Sequence, residues 1–394
     1  MRAIIAGGGI GGLTTALCMH RTGWETVILE RAAQFENIGA GIQISPNGFK
    51  VLTQLGVGSA LEAVAFEPEC QELRIGSSGR TVFSIPLRAA ARTRWGAPYL
   101  HVHRADLVNT LADAVHERMP ETVRFNAPVV AYEQSGTGIA AVLDNNERIE
   151  GDVLIGADGI HSAVRQQMAG ADQPQFTGCV AWRATVPMER LGNNAPPPSA
   201  CVWAGPGQHA VTYRLRGGTL ANIVGVVEQD GWYTESWIEQ GSREAALADF
   251  DGWHPVITTL LEQADTHYRW ALFDRDPMLS WNAGRTTLLG DACHPMLPFM
   301  AQGSAMAIED AWILARVLAA NPDIESALQR YFVMRHQRTS KVQWQSRANL
   351  RIFHQRGGLK QLGVYGSMWL AGKMFPEYVH SRQDWIYGYD ILNI

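Results

Sequence analysis

The 394-residue chain is poor in cysteine, and what it has is not arranged for chemistry. Cys18, Cys70, Cys179, Cys201 and Cys293 are scattered, odd in number and never spaced CxxC. A disulfide framework or a structural zinc site is therefore not expected, and reduced thiols in a cytoplasmic protein are. No apolar run reaches the roughly 18 residues of a membrane-spanning helix. The start Met1-Arg2 followed by apolar residues imitates a signal peptide. The run breaks at Gly7-Gly8-Gly9 and Gly11-Gly12, as a buried strand entering a glycine turn does. With a net charge of −5 and a pI near 6.2 there is no basic excess to hold nucleic acid or an anionic membrane. Neither an HExxH pair nor a GxSxG serine elbow occurs, so neither zinc-dependent nor serine-nucleophile hydrolysis is indicated. Internal repeats and low-complexity tracts are absent as well.

What is present is an ordinary globular composition, 46% hydrophobic and 18% charged, over a length that suits two or three domains or one domain with a large insertion. The opening reads strand (Arg2 to Ala6), glycine turn, helix (Gly12 to Thr22) and strand (Glu25 to Glu30), a βαβ unit. A glycine-rich loop from Ile38 leads to a helix around Asn47 to Gln54. Strands joined by an irregular loop, Arg88 to Pro98, are expected between residues 71 and 100. An amphipathic helix, Ala105 to Arg118, follows, and then alternating strands from Val123 to Ile155. Residues 177–275 change to period-two strands, followed by helices near 242–251 and 254–264. After residue 280 a strand, a Gly-Asp turn and a long helix return, and the chain from about 325 is largely helical.

Gly7, Gly9 and Gly12 satisfy GxGxxG. The first glycine allows the tight turn, the second lets a pyrophosphate approach the backbone, and the third lets the helix pack closely with its N-terminus toward the phosphate. Alone the motif is weak evidence. Here it follows a strand, opens a helix and precedes Glu30 at the end of the next strand, where an acidic group meets ribose hydroxyls. It does not separate one dinucleotide from another. Two later motifs do: Gly156-Ala157-Asp158-Gly159 through Arg165 after the strand Val153 to Ile155, and Gly290-Asp291-Ala292-Cys293-His294-Pro295 running on to Gln302-Gly303-Ser304 and a helix.

In these motifs, their order and their spacing, the chain resembles the single-component (class A) flavoprotein aromatic hydroxylases, the group of salicylate and hydroxybenzoate hydroxylases, over nearly its whole length. The resemblance implies an α/β fold. A Rossmann-like FAD-binding domain (residues 1–70, 100–176 and 277–330) would be interleaved with an α+β substrate domain (71–99 and 177–276) containing a mixed or antiparallel sheet, with a helical C-terminal region (331–394). It implies FAD as cofactor, NADH or NADPH and O2 as co-substrates, and hydroxylation through a flavin C4a-hydroperoxide. The substrate would be a small phenolic or N-heteroaromatic carboxylic acid. Glu30, with Arg31 beside it, would bind the adenosine ribose end, and Arg104 the phosphate or ribityl region. Asp158 would support both FAD and NAD(P)H, and Asp291 would bind the ribityl chain. Pro295 would lie beside the isoalloxazine ring, with Gly303 and Ser304 directing backbone N–H groups at its N1–C2=O edge. A helix N-terminus there would stabilise the negative charge of reduced flavin. Gly41, in Gly39-Ala40-Gly41-Ile42-Gln43, would pass close to the ring.

On the substrate side, His209 and Tyr213 share one strand face by period two. The resemblance puts one or both at the substrate phenol, one as base or hydrogen-bond acceptor and the other as an orienting group; were His209 the base, it would ordinarily titrate between pH 5 and 8. Packing with a satisfied hydrogen bond is the plainer role for either. Phe299 would form an apolar wall that excludes water, and Arg183, Arg214 or Arg88 would meet a substrate carboxylate. His294, inside the second late motif, reads as structural. No metal, nucleic-acid or membrane partner is expected, and a homodimeric state is left open. A flavin-dependent halogenase is the alternative on the same scaffold, but the WxWxIP signature of that class is missing. A non-enzymatic nicotinamide-binding protein would need neither the Gly290-Asp291 motif nor a substrate sheet.

Overall fold

In the computed structural model, which describes residues 1–35, 41–136, 138–170, 174–231 and 239–394, the strand Arg2–Ala6 lies in the middle of a six-stranded sheet. Glu25–Leu29 pairs with it in parallel on one side and Val153–Gly156 on the other. Val123–Arg124 extends the sheet in parallel beyond Glu25–Leu29, and Thr286–Leu288 beyond Val153–Gly156. Only the edge pair Asn282–Ala283 and Thr286–Leu288 is antiparallel. Continuous apolar runs form these strands because both faces are covered: Ala3, Ile4, Ile5, Val153, Leu154 and Ile155 are completely buried. The helix Ile10–Arg21 packs on the sheet against Gly303–Ala320 and Arg104–Arg118. A three-stranded meander (Val129–Ser135, Gly138–Leu143, Arg148–Gly151) leads the chain back to Val153–Gly156.

The second large sheet has seven strands in the order Tyr268–Asp274, Gln175–Pro187, Leu220–Glu228, Gln208–Leu215, Ala200–Gly205, Cys70–Ile75, Thr81–Pro86. Every pairing is antiparallel except Ala200–Gly205 with Cys70–Ile75, so the sheet is mixed. Side chains alternate along Gln175–Pro187. Val180, Trp182 and Ala184 bury against the helices Arg243–Asp249 and Pro255–Gln263. Cys179 and Ala181 face the other way, with Trp270 and Leu272, onto Leu297 and Phe299 from the loop after the Gly-Asp turn. This second face and that loop form the walls of the cleft described below.

The α/β expectation, with a parallel dinucleotide-type sheet and a separate mixed sheet, is met. The expected irregular loop at Arg88 to Pro98 is not: Arg88–Trp95 is a helix. Its apolar residues Leu87, Ala91 and Trp95 recur at intervals of four and are all buried, and Gly96 ends it with φ +76. Three arginines interspersed in the segment, Arg88, Arg92 and Arg94, obscured that stripe. The long helix Ile324–Phe353 packs along Gly303–Ala320. The chain end then returns to the core. Asp384 accepts hydrogen bonds from Arg94 (2.6 Å) and the Trp95 indole (2.7 Å), which buries Ile386 and Tyr387. No helix among the described residues is long and apolar enough to cross a membrane.

Candidate active site

The glycine turn leaves a cradle. Gly7 has φ +101, and a Cβ there would stand 2.5 Å from the Ala157 carbonyl oxygen. A Cβ on Gly12 would stand 2.0 Å from the Gly7 carbonyl oxygen, so both positions require glycine to hold the turn itself. Gly9 differs: its φ of −75 suits any residue, and, its chain neighbours aside, no atom of the described residues lies within 4 Å of where its Cβ would be. Nothing in the protein's own packing needs glycine there; a ligand against the backbone would. Glu30 holds the turn from the strand end, its carboxylate accepting from the Gly8 N–H (2.7 Å) and the Ala32 N–H (2.9 Å). Arg31 is exposed beside it. Gly39 and Ala40, part of the loop expected to approach the ring, lie outside the described residues.

A second helix N-terminus opens at Gly303–Ala320, where no acceptor among the described residues meets the Gly303 and Ser304 N–H groups. Asp291 stands beside it, one carboxylate oxygen 3.9 Å from where a Gly303 Cβ would be. Asp291 is accessible from the cleft yet ringed by protein. That low-polarity surround pushes its carboxyl above the ordinary range, against the pull of His294 and Arg104. A buried network fixes this corner. Asp310 accepts from Arg335 (2.7 Å), the Gly290 N–H (3.2 Å) and the His294 ring (2.5 Å), so His294 is engaged in holding the turn. Asn47 donates to Glu309 (2.7 Å) and Gln302 (3.2 Å), tying the Pro46–Gln54 helix to the same end. Asp158 supplies a further polar atom, Oδ1, which is buried without a partner among the described residues. Burial raises its carboxyl above the ordinary range although Ser162 and the Val164 N–H oppose the shift.

These features fit an FAD: an open Gly9, two helix N-termini with unclaimed N–H groups, Glu30 at the ribose position, and Asp158 and Asp291 with uncommitted oxygens. Between the two late motifs runs a cleft lined by Ile160, Trp270, Leu272, Asp291, Pro295 and Leu297. Pro295 is thereby on the wall facing Ile160, and Gln343 holds its carbonyl (2.9 Å). Phe299 is buried behind the wall against the His209 ring, centroids 5.0 Å apart.

His209 and Tyr213 do lie on one face of Gln208–Leu215, and both are buried. Four residues of strand separate them by ~13 Å, so they do not converge on one phenol oxygen. Tyr213 donates to the Gly41 carbonyl (2.5 Å), and its ring fills the space a Gly41 Cβ would need. Burial raises its hydroxyl well above the ordinary range. Burial and the neighbouring His354 hold His209 well below the ordinary histidine range, which favours its neutral form.

Of the three candidate arginines, Arg88 is on the surface with Glu67 and Glu69, and Arg214 is spent on the Pro196 carbonyl (2.7 Å). Arg183 is half-buried on the cleft face between Tyr268 (5.1 Å) and Trp270 (5.2 Å), with no carboxylate partner among the described residues. Burial lowers its basicity, and the repulsion it feels from Arg104 puts two cations near one cleft. The sequence reading missed His354, which bonds to His209 across 145 residues and carries no local signal. It also missed Asn222, which accepts from the Gly41 N–H (3.0 Å), and Tyr99, which donates to Gln43. A lone Asn within the apolar strand Leu220–Glu228 was a readable sign.

The profile of the family described as FAD binding domain matches residues 1–346. The chain is 37% identical to 3-amino-4-hydroxybenzoate 2-monooxygenase of Streptomyces platensis over 99% of its own length and 96% of the relative's. It is 37% identical to 3-hydroxybenzoate 6-hydroxylase 1 of Aquipseudomonas alcaligenes, over 98% and 97%. The crystal structure of Klebsiella pneumoniae HpxO complexed with FAD and uric acid superposes with a TM-score of 0.86 at 27% identity, covering 100% of this chain and 97% of that one.

Proposed function

The chain belongs to the FAD-binding-domain family and is an FAD-dependent aromatic hydroxylase that uses NAD(P)H; from that premise we propose that it hydroxylates a small phenolic carboxylic acid of the hydroxybenzoate type, held with its carboxylate at Arg183 and its phenol toward His209. The observation that carries this is Arg183, a desolvated cation clamped between two aromatic rings and lacking a counterion among the described residues. A half-buried guanidinium without a partner is costly unless a ligand supplies the anion. Both relatives described above are named for substrates that bear a carboxylate and a hydroxyl on one ring.

FAD, reduced by NAD(P)H, supplies from O2 the oxygen that enters the ring. Gly9 and the N–H groups at Ile10 and Gly11 would receive its pyrophosphate, Glu30 its adenosine ribose, and Asp291 with Arg104 its ribityl side. The Gly303 and Ser304 amides would offer N–H groups to negative charge on the bound flavin. The residues of the substrate half then do three things. Arg183 orients the aromatic acid. His209, neutral, withdraws the phenolic proton and so raises electron density on the ring. Trp270, Leu272, Leu297 and Phe299 keep water from the reacting centre. The reaction belongs in the cytoplasm, where NAD(P)H is at hand.

The test is Arg183→Met assayed on hydroxybenzoates and on the matching phenols without the carboxyl group. KM for the acids should rise about tenfold or more, corresponding to ~1.4 kcal/mol or more of lost binding, while KM for the plain phenols changes little. An equal rise for both classes would remove Arg183 from carboxylate recognition.

A further inference from the structure

The strongest polar feature that the preceding mechanism leaves unexplained is what stands behind His209. Its Nδ1 lies 2.7 Å from Nε2 of His354, the residue that ends the helix Ile324–Phe353. Nδ1 of His354 lies 3.0 Å from a carboxylate oxygen of Glu228, at the end of the strand next to His209's own. Glu228 is one-third exposed and opens into a surface recess lined by Gly207, Gln208, Asp249 and Arg356. The opposite nitrogen of His209, Nε2, is buried and has no partner among the described residues. We propose that His209, His354 and Glu228 form a proton relay that carries the substrate's phenolic proton from the buried cleft to solvent. The proposal rests on the reading of His209 as the base.

The hydrogen-bond order fixes the direction. Glu228 is a carboxylate and only accepts, so His354 carries its proton on Nδ1. Its Nε2 is then an acceptor, so His209 carries its proton on Nδ1. That leaves the lone pair of His209 Nε2 for the substrate, as a base requires. When the phenol loses its proton to Nε2, the Nδ1 proton of His209 passes to His354 Nε2, and the Nδ1 proton of His354 passes to Glu228 and on to water. One O–H bond breaks at the substrate, one forms at the surface, and each histidine ends neutral with its two nitrogens exchanged in role. No residue inside the protein retains the charge.

The surrounding groups are compatible with that path. Phe299 and Phe353 flank His209 with apolar rings. His354 meets Glu228, with Arg356 near by. Arg356 pairs with Glu228 and holds its carboxyl below the ordinary range together with His354, against its own desolvation. Cys179, on the adjacent strand, is neutral because burial pushes its thiol up to about 11. Burial keeps both histidines below the ordinary range, so neither traps the proton.

The experiment mixes holoenzyme with 3-hydroxy-4-nitrobenzoate, whose phenolate is coloured, in a weakly buffered solution containing a pH indicator, and follows both signals by stopped flow near pH 6. Wild type should form bound phenolate and release a proton to bulk in the same phase. Glu228→Gln and His354→Leu should slow both signals roughly 100-fold, the lower end of what a positioned proton-transfer group contributes, with flavin content and probe affinity retained. Imidazole should restore the rate in His354→Gly. Wild-type rates in Glu228→Gln and His354→Leu together with a loss in His209→Gln would overturn the relay and leave His209 as the base. Wild-type rates in His209→Gln would overturn the base assignment itself. If His354→Leu does not fold, Glu228→Gln, altered at a partly exposed site, decides alone.

Discussion

Replacing Gly9 with alanine separates what the glycine turn does for the fold from what it does for the cofactor. The φ of −75 and ψ of −173 at Gly9 are open to alanine, and, its chain neighbours aside, the added methyl meets no atom of the described residues within 4 Å. The apoprotein should therefore keep its stability or gain about 0.4–1 kcal/mol from a less flexible unfolded chain. Gly12→Ala is the contrast. Its methyl would stand 2.0 Å from the rigid Gly7 carbonyl oxygen, so the turn must move and the apoprotein should lose roughly 1–3 kcal/mol or more. For FAD the ranking differs. The Gly9 methyl occupies the space through which the pyrophosphate reaches backbone N–H groups. Hydrogen bonds to charged groups contribute about 1.5–3 kcal/mol each, so losing one or two should weaken FAD by roughly 10- to 1,000-fold. The assays are flavin-fluorescence titration of apoprotein and the apoprotein's thermal midpoint. FAD affinity within twofold of wild type in Gly9→Ala would refute the reasoning, as would a melting temperature as depressed as that of Gly12→Ala.

Phe299→Ala, with FAD loading verified, should release more H2O2 per NAD(P)H oxidised, because the alanine opens a water path beside His209; unchanged coupling would reduce Phe299 to packing. Asp291→Ala should give largely colourless protein, read from the ratio of flavin to protein absorbance. His101 is buried between Phe66, Tyr99 and Tyr213, and burial lowers it from 6.5 to about 3. Between those values the unfolded chain binds a proton that the native state does not, so stability falls as pH drops below about 6.5, by up to ~1.4 kcal/mol per unit. Denaturant unfolding at pH 7.5 and pH 5 should show His101→Leu losing ~2 kcal/mol less than wild type on acidification, and identical losses would contradict it.

The cofactor half of this molecule was readable because its signals are local. GxGxxG, Gly156-Ala157-Asp158-Gly159 and Gly290-Asp291 each follow a short apolar strand, and backbone geometry at a strand end makes the cradle regardless of the rest of the chain. The substrate half was readable only as strands. His209 and Tyr213 were identifiable as sharing a face, but what they touch is set by residues far away in sequence: Gly41 for Tyr213, and His354 and Glu228 for His209. The environment that favours neutral His209 is likewise a product of burial between Phe299 and Phe353, which no local sequence signal announces. Arg183 was one of three equivalent arginines until the fold placed it between Tyr268 and Trp270. The helix Arg88–Trp95 was hidden for a simpler reason, its three arginines alternating with a buried stripe of only three residues.

The central claim is that this chain inserts one atom of O2 into the ring of a phenolic acid. Purified holoenzyme should be incubated with NADH or NADPH under 18O2 against a panel of hydroxybenzoates, and the products analysed by mass spectrometry. At least one acid should accelerate NAD(P)H oxidation and yield a ring-hydroxylated product carrying a single 18O atom. Substrate-independent NAD(P)H oxidation that yields only H2O2, or a hydroxylated product whose new oxygen comes from water, would contradict the account.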